Sequence, residues 1–244
     1  MNGIMPYAAV RPYQASPGNH EAYGTQNGGN FTQFYYRYRA LAEYAGKNSG
    51  SNSNFWYSFE TPLIHWLAFT AETWTMSADQ ISTQLAFANA DLAKVDRTKT
   101  PFVVAFAHKS FQMDQTTQSL FDFLVNNNVD FLITGHWHQY TRFPSIDSRS
   151  NPVVIDTACL SSDNTTYTNC KYPIINVVGA PGDRELNPRS CSEAYQINCS
   201  GNYGYGYLQA VNASHLHVTW HTTVPVSGSP DPKFGDDFWI VKTN

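Results

Sequence analysis

Charge is what this sequence has least of. Only 14% of its 244 residues are Asp, Glu, Lys or Arg, and 15 Lys+Arg against 19 Asp+Glu leave a net charge of -4. The basic field that a phosphate backbone demands is absent, which excludes generic nucleic-acid binding. No run approaches about 20 consecutive apolar residues, so no membrane span is read. Met1 to Tyr13 has neither the basic n-region nor the apolar core of a signal peptide. A phosphate-binding loop of the Gly-x-x-x-x-Gly-Lys type does not occur. The four cysteines include no Cys-x-x-Cys pair, so cysteine zinc-site spacing is lacking as well. Disorder is excluded from the other side, because 42% hydrophobic and 15% aromatic residues suffice for a core. The length suits one large domain or one and a half smaller ones.

What is present points toward an oxidising compartment. All four cysteines fall between Cys159 and Cys199, and the pairing that closes the smallest loops is Cys159 with Cys170 and Cys191 with Cys199, each around a short surface loop. The two other connectivities stay open. Four sequons, beginning at Asn30, Asn164, Asn198 and Asn212, can carry N-linked glycans only on a secretory route. Marks of secretion without a leader suggest an N-terminus upstream of Met1.

The chain reads as layered. Met1 to Gly50 is rich in Tyr, Gly and Asn and ends in a polar run, Lys47 to Asn54, expected as an exposed loop. Trp56 to Phe59 and Leu63 to Thr70 are strand-like runs joined tightly at Thr61-Pro62. Ser77-Ala78-Asp79-Gln80 is a capping box opening a helix with Ile81, Leu85 and Leu92 on its apolar side, which Thr100-Pro101 stops. Phe102 to Ala107 is a continuous apolar run ending at His108, as a strand buried on both faces would be. A second helix is expected from Thr117 to about Asn126, with Leu120, Phe121 and Leu124 inward. Val129 to Thr134 is the next buried strand and delivers Gly135-His136-Trp137-His138 at its C-terminal end. Loops at strand C-termini gather on one edge of such a sheet. Beyond His138 short strands are expected at Val153 to Ile155, Ile174 to Val178, Tyr205 to Val211, Leu216 to Trp220 and Phe238 to Val241.

Imidazoles and an Asn carbonyl oxygen are good ligands for ions such as Zn, Fe and Mn. A lone His at a strand end is more often structural, and His65, His215, His217 and His221 belong in that class. A His-x-His pair after a buried strand and a glycine is harder to dismiss, since glycine lets the backbone turn so that both rings reach one centre. The order Gly18-Asn19-His20-Glu21, then Ala107-His108-Lys109, then Gly135-His136-Trp137-His138 resembles the last three metal blocks of the calcineurin-like metallophosphoesterases. Within them the purple acid phosphatases are the closer match. The segments Asn54 to Phe59, Asp91 to Arg97 and Tyr205 to Leu208 leading to Asn212-Ala213-Ser214-His215 extend the likeness over nearly the whole chain.

The resemblance implies an α/β, layered fold: the C-terminal portion of a β-sandwich flanked by helices, with a β-rich C-terminal segment. Residues 1–244 would form one partial catalytic domain, 1–150 carrying the metal-site loops and 151–244 the β-rich segment, with the N-terminal half missing. It further implies that Asn19, His108 and His136 bind one metal and His138 the other, with His20 beside the phosphate as general acid. Two metal ions (Fe with Zn, Mn or Fe) would act as Lewis acids and furnish a metal-bound hydroxide that attacks a small phosphorylated substrate. A secreted or lysosomal or vacuolar location follows by the same likeness.

Departures from the pattern are as informative. The family's upstream Asp-x-Gly and Gly-Asp-x-x-Tyr blocks supply carboxylates and a Tyr, yet only 18 residues precede Asn19 and none is Asp. Gly182-Asp183 and Gly235-Asp236 occur too late and lack the Tyr. Four neutral ligands leave a dication uncompensated, so at most one weakly held metal is expected, with impaired activity. The alternatives are a non-catalytic secreted glycoprotein with a degenerate phosphatase-like fold, or a phosphodiesterase of the same superfamily. All four candidate ligands are expected to converge, with donor atoms roughly 4 to 8 Å apart.

Overall fold

The computed structural model describes residues 5–22, 30–110, 117–149, 152–180, 191, 194–224 and 235–243. Its strands are β1 (Tyr57–Thr61), β2 (Ile64–Ala68), β3 (Phe102–Phe106), β4 (Phe131–Thr134), β5 (Tyr140–Asp147), β6 (Val154–Ile155), β7 (Thr166–Thr168), β8 (Ile174–Val178), β9 (Asn198–Ser200), β10 (Tyr203–Asn212), β11 (His215–Val224) and β12 (Asp236–Val241). The larger sheet runs β1-β2-β3-β4-β8-β5-β6, with β9 also on β5, and the smaller runs β10-β11-β12-β7. Strands β2, β3, β4 and β8 are mutually parallel, and β1 and β5 flank them antiparallel.

The parallel strands read as largely apolar runs, interrupted by His65 in β2 and Asn176 in β8, because both of their faces are covered. Val103, Ala105, Leu132, Ile175 and Val177 pack on one side with Leu120, Phe121 and Leu124 of helix Gln118–Asn126 and Ala88 of helix Ala78–Leu92. Their alternates Phe102, Val104, Phe131 and Ile174 pack on the other side with Leu216, Val218, Phe238 and Ile240 of the smaller sheet. The result is three layers, helices on sheet on sheet, the α/β layering that the helix and strand order implied.

Helix Ala78–Leu92 opens on the expected capping box, in which the Ser77 hydroxyl accepts from Gln80 N and the Gln80 side chain accepts from Ser77 N. It ends at Leu92 rather than at Thr100. Asp96 takes over there, its side chain accepting from Thr98 N at 3.0 Å and its carbonyl from Lys99 N and Thr100 N, a local alternative to the helical ladder. The helix buries Gln84, Ala88 and Asp91, while Ile81, Leu85 and Leu92 are half-buried. Gln84 can face inward because its amide pairs with both backbone groups of Thr70, at 2.8 and 3.2 Å.

Two expectations need correction. Lys47 to Asn54 is not simply an exposed loop: Lys47–Ser49 is helical, the chain returns through Asn52 N to Gly46 O at 2.9 Å, and buried Asn54 donates to Tyr35 O at 3.1 Å. Strand β5 escaped sequence reading because Thr141, Arg142, Ser145 and Asp147 give it a polar composition, although every residue in it is buried. Pro144 sits where the β5–β8 register breaks, between Arg142 and Ser145.

Arg142 explains how so polar a strand is accommodated. Its Nε and Nη2 grip Asp236 of β12 at 2.5 and 3.0 Å, and its Nη1 donates to Asn164 O at 2.9 Å and Tyr167 Oη at 3.0 Å. The Tyr140 hydroxyl donates to the same carboxylate at 2.6 Å. Burial alone would raise the Asp236 carboxyl, but the guanidinium more than offsets this and holds it below the ordinary range. The pair joins the two sheets across the core. Arg142→Ala strands a buried carboxylate and is expected to cost about 3–5 kcal/mol, checked by urea unfolding of the two proteins. A loss below about 1 kcal/mol, the range of an exposed pair, would refute the assignment.

Both disulfides pair as the smallest loops required, Cys159 with Cys170 and Cys191 with Cys199. The first is not a surface loop at its root, since Cys159 is buried in the inter-sheet core. Gly182 and Asp183 lie outside the described residues.

Candidate metal centre

Parallel pairing sets the site. Strand β3 ends at Phe106 and β4 at Thr134, and the two chains stay bonded past them: Ala107 N donates to Ile133 O at 3.1 Å and, one residue out of the ladder's register, Gly135 N to His108 O at 2.8 Å. His108 and the Gly-His-x-His loop are thereby side by side at the C-terminal edge of the sheet. The third contributor, Asn19, opens the short helix Asn19–Ala22. Glu21 folds back to accept from Gly18 N at 2.9 Å, while Gly18 O accepts from Glu21 N and Ala22 N, which fixes the turn that presents Asn19.

Three donor atoms meet. Asn19 Oδ1 lies 2.6 Å from His108 Nε2 and 3.2 Å from His136 Nδ1, and the two imidazole nitrogens are 3.2 Å apart. Ligands bonded at 2.0–2.2 Å to one ion and set at right angles to tetrahedral angles are about 2.8–3.6 Å from each other; both His136 separations fall in that range, while Asn19 and His108, at 2.6 Å, are at hydrogen-bond distance and would have to part slightly to share an ion. These separations are tighter than the spacing expected from the sequence, because all three close on one point. His20 and His138 are near enough to act on the His108 ring by charge, and direct contacts join Asn19, His108 and His136.

His108 is held neutral, as a ligand must be. Burial first, then His136, Lys109, His20 and His138, depress its pKa from 6.5 to about 3. Among the described residues no group of three or more His, Cys, Asp or Glu side chains could hold a metal, so the structure does not bring His138 together with His108 and His136 on one centre as expected; it brings together two imidazoles and the Asn19 amide. The donor chemistry therefore fits one face of a metal site built from neutral groups.

The glycines of the site act differently from expectation. Gly135 has room for a Cβ, whose nearest neighbour would be His108 O at 3.7 Å, and it is His136 itself that adopts the left-handed conformation, at φ 66, an uncommon choice for a non-glycine residue. The sites that exclude a Cβ are Gly18, which would meet the His108 ring at 2.8–2.9 Å, and Gly179, which would lie 1.8 Å from Trp137 O.

One functional contributor escaped the sequence reading. Glu72, fully buried after β2, takes Lys109 Nζ at 3.1 Å and Trp74 Nε1 at 2.7 Å. This ion pair fixes the residue next to His108, and the only sequence signal for it is an acid in a hydrophobic stretch matched by a base following the candidate ligand. The four histidines set aside as structural are so placed. His65 bonds Asp91 at 2.7 Å, which also accepts from Ser58 at 2.8 Å. His215, His217 and His221 lie on β11, away from the cluster.

Residues 3–140 match the model of the calcineurin-like phosphoesterases. The chain belongs to that family. Residues 172–233 also match the iron/zinc purple acid phosphatase-like protein C model. It is 28% identical to purple acid phosphatase 18 of Arabidopsis thaliana, over 97% of this chain and 51% of that relative. With acid phosphatase type 7 of Homo sapiens it shares 25% identity, over 99% of this chain and 56% of the relative. In fold it is similar to a purple acid phosphatase from yellow lupin (Lupinus luteus) seeds, with a TM-score of 0.70 at 21% identity over 99% of this chain and 42% of the lupin protein. The chain thus spans about half the length of the curated relatives it matches. No described helix is long and apolar enough to cross a membrane.

Two outcomes test the geometry. Gly18→Ala pushes on the His108 ring while leaving every donor in place, and is expected to weaken Zn(II) binding by roughly 10- to 100-fold, as loss of ligand orientation does elsewhere. Calorimetric titration, with circular dichroism to confirm the fold, checks it. The second outcome concerns pH. A His whose folded pKa lies below its unfolded value binds more protons when unfolded, so His108 supports the fold fully above pH 6.5 and progressively less as pH falls toward about 3. Metal-free protein should lose urea resistance between pH 6.5 and 4, and His108→Gln should flatten that slope. An unchanged slope in the variant would contradict the assignment.

Proposed function

We propose that this chain carries the neutral-ligand share of the active site of a metal-dependent acid phosphatase that hydrolyses phosphomonoesters. The observation that carries the reading is the meeting of Asn19 Oδ1, His108 Nε2 and His136 Nδ1 at 2.6–3.2 Å on the C-terminal edge of a parallel sheet, the edge where such sheets bind ligands. In this reading Asn19, His108 and His136 hold one metal and His138 a second, the metals being Fe with Zn, Mn or Fe. When bound, such ions polarise phosphoryl oxygens and make water a stronger nucleophile at neutral pH. His20, on the same short helix as Asn19, stands to donate a proton to the leaving alkoxide, worth roughly 10²- to 10⁴-fold. The Glu72–Lys109 pair keeps the backbone after His108 in place.

Neutral donors alone hold a dication poorly, and one cation without its partner activates water poorly. The 244-residue chain is therefore expected to retain at most one weakly bound metal. Its turnover of a chromogenic phosphomonoester should fall several orders of magnitude below that of a form extended at its N-terminus with the carboxylate blocks. Metal analysis and an acid-phosphatase assay on both forms decide it. Two tightly held metals and full activity in the 244-residue chain would overturn the reading of a shared site.

A secretory, vacuolar or lysosomal address belongs to the same proposal. What supports it is that all four cysteines are paired, a state typical of oxidising compartments.

A further inference from the structure

The four sequons are equal in sequence and unequal in the fold. We infer that Asn164 and Asn212 are the N-glycosylation sites that the folded protein accommodates, and that Asn198 is barred from modification. This goes beyond the phosphatase reading and needs only that the chain enter a secretory compartment.

Asn212 closes β10 at the turn into β11, where it is exposed. Its Oδ1 accepts from Ser214 N and Ser214 Oγ, both at 2.9 Å, so the hydroxyl residue of its own sequon orients the amide. No hydrogen bond among the described residues engages its Nδ2. Asn164 is likewise exposed, at φ 59, in the turn that begins β7. Its backbone is anchored, with its N–H to Ser161 O at 2.9 Å and its carbonyl accepting from Arg142 at 2.9 Å, while its side-chain amide makes no hydrogen bond among the described residues.

Asn198 is the opposite case. It pairs with Arg142 across the β9–β5 ladder, and the next residue, Cys199, is bonded to Cys191. Its side chain is half-buried, and Ser200, the hydroxyl residue of its sequon, is buried with its Oγ accepting from Asn202 N at 3.2 Å. Modification would set a bulky polar group against the strand that carries the Arg142–Asp236 pair.

The reaction is transfer from a lipid-pyrophosphate-linked oligosaccharide. The bond from Asn Nδ2 to sugar C1 forms, the bond from C1 to the phosphate oxygen breaks, a proton leaves Nδ2, and the lipid pyrophosphate departs. The test is secretion of the full chain from a eukaryotic host behind the host's own leader, so that the native address is not in question. Asn30→Gln in all forms removes the fourth sequon. Peptide mass spectrometry after enzymatic deglycosylation, which converts each modified Asn to Asp, is expected to find Asn164 and Asn212 converted and Asn198 intact in the secreted protein. Asn164→Gln and Asn212→Gln should each abolish one glycan, whereas Asn198→Gln should abolish none. A glycan on Asn198 in secreted, folded protein would overturn the inference, as would unmodified Asn164 or Asn212. Modified Asn198 confined to the retained, misfolded fraction would support it.

Discussion

The hydrogen bond from Gly135 N to His108 O, 2.8 Å long, joins the two chains just beyond β3 and β4. Much of the site depends on it. The last in-register bond, Ala107 N to Ile133 O, would be followed in a regular parallel ladder by Gly135 N to Ala107 O, so taking His108 O instead slips one chain by a residue. That slip sets a strand-end His beside the second residue of the next loop. Asn19 then needs only to approach from the edge, and the close fit of Gly18 against the His108 ring lets it do so. The left-handed backbone of His136 turns its ring back toward His108 instead of along the strand. Strain at a residue that presents a donor atom is where local preference gives way to geometry.

The same ladder is held rigid from both sides, which connects packing to chemistry. Helices cover one face with Phe121 and Leu124, and the smaller sheet covers the other with Phe238 and Leu216. Neither layer can shift without opening a core of completely buried side chains, at about 2–5 kcal/mol for each large residue left unfilled. Arg142 and Asp236 add a directional tie between the sheets. A charge pair at that depth contributes little net stability but penalises any arrangement that separates its members. It fixes how the smaller sheet sits, and through β5 and β8 it reaches β4 and the loop that carries His136.

The elements that the sequence declared most clearly were those whose period and chemistry agree. Phe102 to Phe106 is apolar throughout, and Ile174 to Val178 is apolar but for Asn176, because both faces are covered, and the Ser77–Gln80 box is a local signal that tertiary contacts do not override. Cysteine spacing gave the disulfides for a similar reason, since short loops leave little choice of partner. The three metal blocks were legible through residue type and order, although their convergence is a property of the parallel ladder that spacing alone cannot state. Strand β5 was hidden because its buried polar groups are satisfied by partners far along the chain: Arg142 by Asp236, and Ser145 by Tyr172. Glu72 was hidden likewise, its partner Lys109 lying 37 positions on, across two strands. The helical start of the chain was obscured by Tyr, Gly and Asn, residues of poor helix propensity, held in place by aromatic contacts such as Phe34 with Tyr38 and Phe55.

Charge accounting around the cluster narrows what can complete it. The described buried carboxylates are all engaged elsewhere: Asp91 with His65 and Ser58, Glu72 with Lys109 and Trp74, Asp147 with Arg149, Asp156 with Lys171 N, and Asp236 with Arg142 and Tyr140. Half-buried Asp130 is taken by Lys242 at 2.7 Å and Val103 N at 2.8 Å. Moving any of them to the histidine cluster would leave a cation or a backbone donor unpaired, at a cost of roughly 1–5 kcal/mol each. The cluster, with Lys109 beside it, presents neutral donors and one positive charge and, among the described residues, no buried carboxylate free to join it. A cation can be held there only by negative charge brought from groups other than these, so the same packing that assembles the neutral half of the site also makes it dependent on a separate source of carboxylates.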